Sequence, residues 1–133
     1  MKSLPENFLK LMTPEARREC GQQTASEAQH KWQKGEERKM HELFEQDLIR
    51  RRWPYIHSRM DRKPTIREGW PDFTVFWGLR FILIEFKAPG GTLREKQKEC
   101  IDDLTDAHIA VLVTQDVGEA IDFCKKQLEG GIL

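Results

Sequence analysis

Asp72, Glu85 and Lys87 lie inside "GWPDFTVFWGLRFILIEFKAPGG", residues 69–91, an apolar run in an otherwise polar chain. Burying a charge without a partner is costly, so two carboxylates and an amine in such a run need a reason. Phe73 to Trp77 and Arg80 to Lys87 are rich in aromatic and branched residues, which predicts two strands. Gly78-Leu79 between them suits a two-residue hairpin loop with glycine first, the type II′ pattern. In that register Trp77 pairs with Arg80, and Asp72 falls opposite Glu85 on the same face, with Cβ atoms about 4.5–5.5 Å apart. Lys87 shares that face about 7 Å along the strand.

Two carboxylates so close repel, and desolvation raises the cost of both charges. Lys87 could neutralise them as a structural ion pair. A divalent cation could do so instead, since hard cations take one or two carboxylates together with water and phosphate oxygen. The second arrangement would leave Lys87 to handle a water or a phosphate oxygen. "PD" at a strand start followed by "E-x-K" at the end of an apolar strand is more specific than an arbitrary acidic pair with a lysine.

The elements that must position these groups follow from pattern. Leu4 to Gly21 suggests one or two short helices, and Thr13-Pro14-Glu15 is a good helix start. Residues 1–25 are expected to form a helical appendage to a main domain over 26–133. A long helix is expected from Ser26, with Gln29 as its capping-box partner, to about Arg52, where Pro54 stops it. A strand over Tyr55 to Met60 precedes a polar loop. Thr92 and Glu95 suggest a second capping box that opens a helix to about Ala107. Ile109 to Thr114 reads as a strand, and Asp116 caps a last helix to about Leu128. Middle strands apolar on both faces call for helices on both sides of the sheet. The expected architecture is an α/β sandwich around a mixed sheet.

The same face should attract groups from its neighbours. Leu93, Cys100, Ile101 and Leu104 form an apolar stripe that turns Gln97 inward, and a buried amide needs partners. A phosphate, a metal-bound water or the Lys87 region could supply them, as could backbone. Glu42 and Glu45 sit one turn apart on the long helix, and either could add a carboxylate or remain an ordinary surface charge.

At 133 residues the chain fits one domain, and 22 basic against 22 acidic side chains leave no net charge. Charge is uneven, however. Arg50, Arg51, Arg52, Arg59, Arg62, Lys63 and Arg67 face only Asp61 between Leu48 and Arg67, a stretch that could track phosphates or simply be solvated. No apolar run is long enough to cross a bilayer, and charges interrupt the first twenty residues, so no membrane and no signal segment are expected. Cys20, Cys100 and Cys124 are too widely spaced for a disulfide framework or a CxxC metal site, which suits a reducing cytoplasm. His30, His41, His57 and His108 are scattered and show no zinc-hydrolase spacing.

Pro71-Asp72 followed by Glu85-Phe86-Lys87 resembles the active-site signature of the PD-(D/E)XK nuclease superfamily. "GWPDF…LIEFKAPGGTLREKQ" is similar to its VRR-NUC branch, and the resemblance runs from about Glu42 to the C-terminus. It implies the restriction-endonuclease-like sandwich already inferred. It also implies Asp72, Glu85 and the Phe86 backbone carbonyl as metal ligands, Lys87 as the catalytic lysine, and Gln97 as the motif glutamine. The first-helix acid fits Glu42 best, as a catalytic and supporting metal residue, with Glu45 as the alternative. Mg²⁺ is the implied cofactor, with Mn²⁺ able to substitute. The implied activity is a divalent-metal-dependent DNA endonuclease selective for branched DNA such as four-way junctions, acting as a homodimer in a bacterial or phage-infected cytoplasm. Arg50, Arg51, Arg52, Arg59, Arg62, Lys63 and Arg67 would contact the DNA backbone. A non-catalytic nucleic-acid-binding module on the same fold is the alternative.

Overall fold

The computed structural model describes residues 24–58 and 66–130. The first described helix, α1, spans Ala25–Arg51. Its cap is Thr24 instead of the expected Ser26. Thr24 Oγ1 accepts the Glu27 N–H at 3.1 Å, and Glu27 Oε2 accepts the Thr24 N–H at 3.2 Å. The box chemistry is the expected one, two residues earlier, and Glu27 adds a negative charge at the positive helix end that Gln29 would not. Arg52 closes α1 in a left-handed conformation, φ 59°. The N-terminal helices expected between Leu4 and Gly21 lie outside the described residues.

Strands β1 (Tyr55–His57), β2 (Phe73–Trp77), β3 (Arg80–Phe86) and β4 (Val111–Thr114) form one sheet in that spatial order. β1, β2 and β3 run antiparallel, and β4 is parallel to β3, so the sheet is mixed as expected. The hairpin has the register read from sequence, from Trp77 opposite Arg80 to Phe73 opposite Ile84. Gly78 has φ 61° while Leu79 keeps a negative φ, which fits a glycine-first II′ turn and not I′. β1 is shorter than predicted. After His57 the ladder continues for one more bond, from the Ser58 N–H to the Asp72 carbonyl at 2.7 Å. The predicted strand residues Arg59 and Met60 lie outside the described residues.

Helix α2 (Glu95–Asp106) crosses from β3 to β4. It starts later than the predicted Thr92 box. Gln97 Oε1 accepts the Arg94 N–H at 2.9 Å, so a side chain two residues inside the helix does the capping. Helix α3 (Val117–Cys124) begins at Asp116, whose Oδ1 accepts the Gly118 N–H at 2.7 Å. It runs into a π-helical turn over Lys125–Glu129 that keeps Leu128 buried.

Strand alternation sorts the core into two layers. Phe73, Val75, Ile82, Ile84 and Phe86 pack against Phe44 and Leu48 of α1 and Ala120, Ile121 and Cys124 of α3. Leu83 on the opposite face packs against Cys100 and Leu104 of α2, with Trp70 and Val111 beside them. The α/β sandwich expected from sequence is therefore observed, with α1 and α3 on one face and α2 on the other. Among the described residues, no helix is long and apolar enough to cross a membrane.

Candidate active site

The β2–β3 ladder ends where the sequence changes from apolar to charged. Asp72 precedes the first residue of β2, and Glu85 is the penultimate residue of β3. They are tied together directly. The Asp72 N–H donates to Glu85 Oε2 at 3.1 Å, and the Phe86 N–H donates to Asp72 Oδ2 at 2.8 Å. Backbone of each strand thus orients the carboxylate of the other, a consequence of the hairpin register. Lys87 Nζ lies 3.5 Å from Glu85 Oε1, with both side chains largely buried.

Helix α2 contributes the fourth group. Gln97 is buried, and its Nε2 donates to Glu85 Oε1 at 2.8 Å. Its oxygen is already engaged by the Arg94 N–H, so both ends of the amide are fixed. The sequence left its partner open among phosphate, water, backbone and the Lys87 region. In the structure the partners are Glu85 and backbone. Gly69 makes this approach feasible. Its φ is 88°, and a Cβ there would lie 2.8 Å from the Gln97 nitrogen and closer still to the Lys96 carbonyl. Only glycine lets the loop before Asp72 pass so near the first turn of α2.

Helix α1 closes the other side, and two of its residues there, Glu37 and His41, were not singled out by spacing. Glu37, His41, Phe44 and Leu48 recur at helical spacing, and the latter two are buried against the sheet. Glu37 Oε1 accepts the Ala88 N–H at 3.2 Å. His41 Nε2 lies 3.1 Å from Asp72 Oδ2. Glu42, the expected first-helix acid, is exposed on a neighbouring face of α1 and meets none of these groups among the described residues. Glu45 instead turns toward β1, where it accepts from Tyr55 Oη at 3.0 Å and lies 3.2 Å from His57 Nδ1. The helix has one sheet-facing stripe, and adjacent positions differ by about 100° around its axis, so His41 and Glu42 cannot share it.

Burial and charge act strongly on Glu85. The carboxylate is 2% exposed, and desolvation followed by the neighbouring charge of Asp72 pushes its pKa up to about 8. Lys87 and the Asp72 N–H pull the other way without cancelling that rise. The pair is short of positive charge, the condition that a bound cation relieves. Among the described residues, no group of three or more His, Cys, Asp or Glu side chains forms a ready-made cage. A hard cation takes one or two carboxylates and keeps water and substrate oxygen in the rest of its shell. Asp72 and Glu85 would hold it, with Phe86 backbone between them and Lys87.

A cleft of about 390 Å³ opens from Lys87 between α1 and the Gly90-Gly91 turn, with Lys34, Glu37 and Arg94 on its walls. Lys34 and Arg94 are basic groups that composition alone did not single out. The arginine-rich segment is arranged differently. Arg50 and Arg51 both pair with Asp47 of their own helix, and Arg51 also lies over the Trp53 ring, 5.3 Å from its centroid. Arg52 is exposed at the helix end, and Arg67 pairs with Asp103 at 2.7 Å. Nine to eleven residues separate His41 from Arg50–Arg52, roughly 15 Å of helix. Arg59, Arg62 and Lys63 lie outside the described residues.

No curated protein and no solved structure matches the chain. The family described as VRR-NUC domain matches residues 13–116, beginning well before Glu42, where the motif resemblance starts. The matched span covers α1, the whole sheet and α2, including each residue around Asp72 and Glu85 described above. By its motifs, its restriction-endonuclease-like sandwich and this match, the chain belongs to the VRR-NUC domain family, a PD-(D/E)XK-like family of nuclease domains.

Proposed function

We propose that the protein is a divalent-metal-dependent endonuclease that hydrolyses phosphodiester bonds in DNA. The observation that carries this reading is the buried Glu85 carboxylate, held against Asp72 by reciprocal backbone bonds and short of positive charge. A closed structural ion pair would satisfy Glu85 with Lys87, yet burial and Asp72 outweigh that lysine.

Mg²⁺, or Mn²⁺ in its place, would supply Lewis-acid polarisation and charge neutralisation at the phosphate. The chain's own residues supply the rest. Asp72 and Glu85 would hold the cation, and their carboxylates are oriented because Glu85 accepts from the Asp72 N–H and Asp72 from the Phe86 N–H. Gln97 locks Glu85 in turn. Lys87 lines two clefts, one toward α1 and one toward Thr114 and Glu119. From there its ammonium would orient the attacking water and offset the negative charge that grows on phosphorus-bound oxygens. Positioning, not general-base work, is the role proposed for it. Lys34 and Arg94 would hold the flanking backbone, a contact that reads charge and shape instead of base sequence.

Selectivity for branched DNA and action as a homodimer belong to the same proposal, supported by the resemblance to standalone members of the family. The test is a cleavage panel of single-stranded, duplex, flap and four-way-junction DNA with Mg²⁺ and with Mn²⁺, run on the wild type and on Lys87→Ala. Junction cleavage that needs metal and is lost in Lys87→Ala is expected. Metal-independent binding to all four substrates without cleavage would leave a binding module instead.

A further inference from the structure

A chain of polar side chains runs from Tyr55 to His41, which sits beside Asp72. Tyr55 Oη donates to Glu45 Oε1 at 3.0 Å, Glu45 Oε2 lies 3.2 Å from His57 Nδ1, and His57 Nε2 lies 3.1 Å from His41 Nδ1. His57 is further fixed by stacking on Phe73, centroids 4.2 Å apart and planes within 7°. The partners assign the tautomers. A carboxylate oxygen only accepts, so His57 carries its proton on Nδ1, toward Glu45. Its Nε2 is then an acceptor, and the proton between the rings belongs to His41 Nδ1. The remaining nitrogen of a neutral His41, Nε2, bears a lone pair.

That lone pair faces an oxygen. His41 Nε2 is 3.1 Å from Asp72 Oδ2, yet it is buried and makes no hydrogen bond. Two acceptors at this separation need a cation between or beside them. A proton on Nε2 would make the contact an ion pair, but no hydrogen bond forms between the two atoms. A metal fits better, because two ligands at right angles with bonds of about 2.1 Å lie about 3.0 Å apart. Metal-ligating histidines also pass their other N–H to an acceptor that fixes the ring. His57, backed by Glu45 and Tyr55, fills that role.

We propose that His41 gives an imidazole nitrogen to the cation held at Asp72, with His57 and Glu45 as positioning residues that set its tautomer. The inference rests on the metal-dependent reading above. It changes the expected ion, because a nitrogen ligand favours Mn²⁺ and later first-row ions over Mg²⁺ more than an all-oxygen set does.

The full-length protein loaded with Mn²⁺ provides the test, by pulsed EPR for ¹⁴N coupling and by calorimetric titration with Mn²⁺ and Mg²⁺. The wild type should show imidazole ¹⁴N coupling. His41→Gln should bind Mn²⁺ without it, and the preference for Mn²⁺ over Mg²⁺ should shrink. His57→Phe keeps a ring on Phe73 and should retain the coupling while weakening Mn²⁺ about tenfold, the scale of a lost outer partner. Mn²⁺ bound in the wild type with no ¹⁴N coupling, or with coupling unchanged in His41→Gln, overturns this proposal alone. No Mn²⁺ binding by the wild type, or equal binding by Asp72→Asn, overturns it together with the metal-dependent reading.

Discussion

Gln97 on α2 donates to the Glu85 carboxylate at the end of β3, 2.8 Å away and buried from solvent. The bond links the helix that covers one face of the sheet to the acid pair at the sheet's end. Removing the amide leaves a buried carboxylate oxygen with Lys87 as its remaining side-chain neighbour.

Gln97→Ala should therefore destabilise the protein by about 1–3 kcal/mol, the cost of an unsatisfied buried polar group. It also removes the acceptor of the Arg94 N–H, so α2 should fray at its start. Urea unfolding measures the first effect, and amide hydrogen exchange over residues 94–98 measures the second. An unchanged midpoint would show that water replaces the amide at no cost.

Glu85 sets a pH dependence. Its folded pKa, about 8, stands above the ordinary 4.5. Between those values the folded state binds more protons than the unfolded one, so stability falls as pH rises. Without added metal, unfolding midpoints should decline from pH 5 to pH 8.5, and Glu85→Gln should flatten that decline. A divalent ion must displace the proton, so stabilisation by Mg²⁺ should be greater at pH 8 than at pH 5.5. Thermal scans at the two pH values with and without Mg²⁺ check this.

Gly69 and Gly78 both have positive φ, but their surroundings differ. A methyl at Gly78 meets open space, whereas one at Gly69 runs into the Lys96 carbonyl and the Gln97 nitrogen. Gly78→Ala should cost only the left-handed backbone penalty, about 1–2 kcal/mol. Gly69→Ala should cost clearly more, because backbone must move, and it should weaken metal binding by shifting Gln97 and Asp72. Equal melting temperatures for the two variants would mean that the loop before Asp72 yields freely.

Lys34 and Arg94 line the cleft beside Lys87, whereas Arg50 is paired with Asp47. Lys34→Ala and Arg94→Ala should each weaken junction-DNA binding and lower the salt slope by about 1, the signature of one lost phosphate contact. Arg50→Ala should change both far less. Fluorescence anisotropy across a salt series distinguishes them, and a larger effect at Arg50 would place the DNA along the end of α1 instead.

The sequence by itself determined the hairpin and what the hairpin carries. Glycine first in a two-residue loop fixes a register, and the two-residue period of a strand then places Asp72, Glu85 and Lys87 on one face without reference to any other element. The stripe through Cys100 and Leu104 likewise turned Gln97 inward before its partner was visible. Tertiary structure alone decided which polar residues of α1 reach the site. Before Met40 that helix has no apolar stripe to show its orientation, so Glu37 and His41 look like Glu42 until Phe44 and Leu48 dock on the sheet. The link from His41 through His57 to Glu45 joins a helix to an edge strand, and such contacts leave no periodic trace in a single chain. They exist because packing fixes the distance between two elements, which local propensity does not encode.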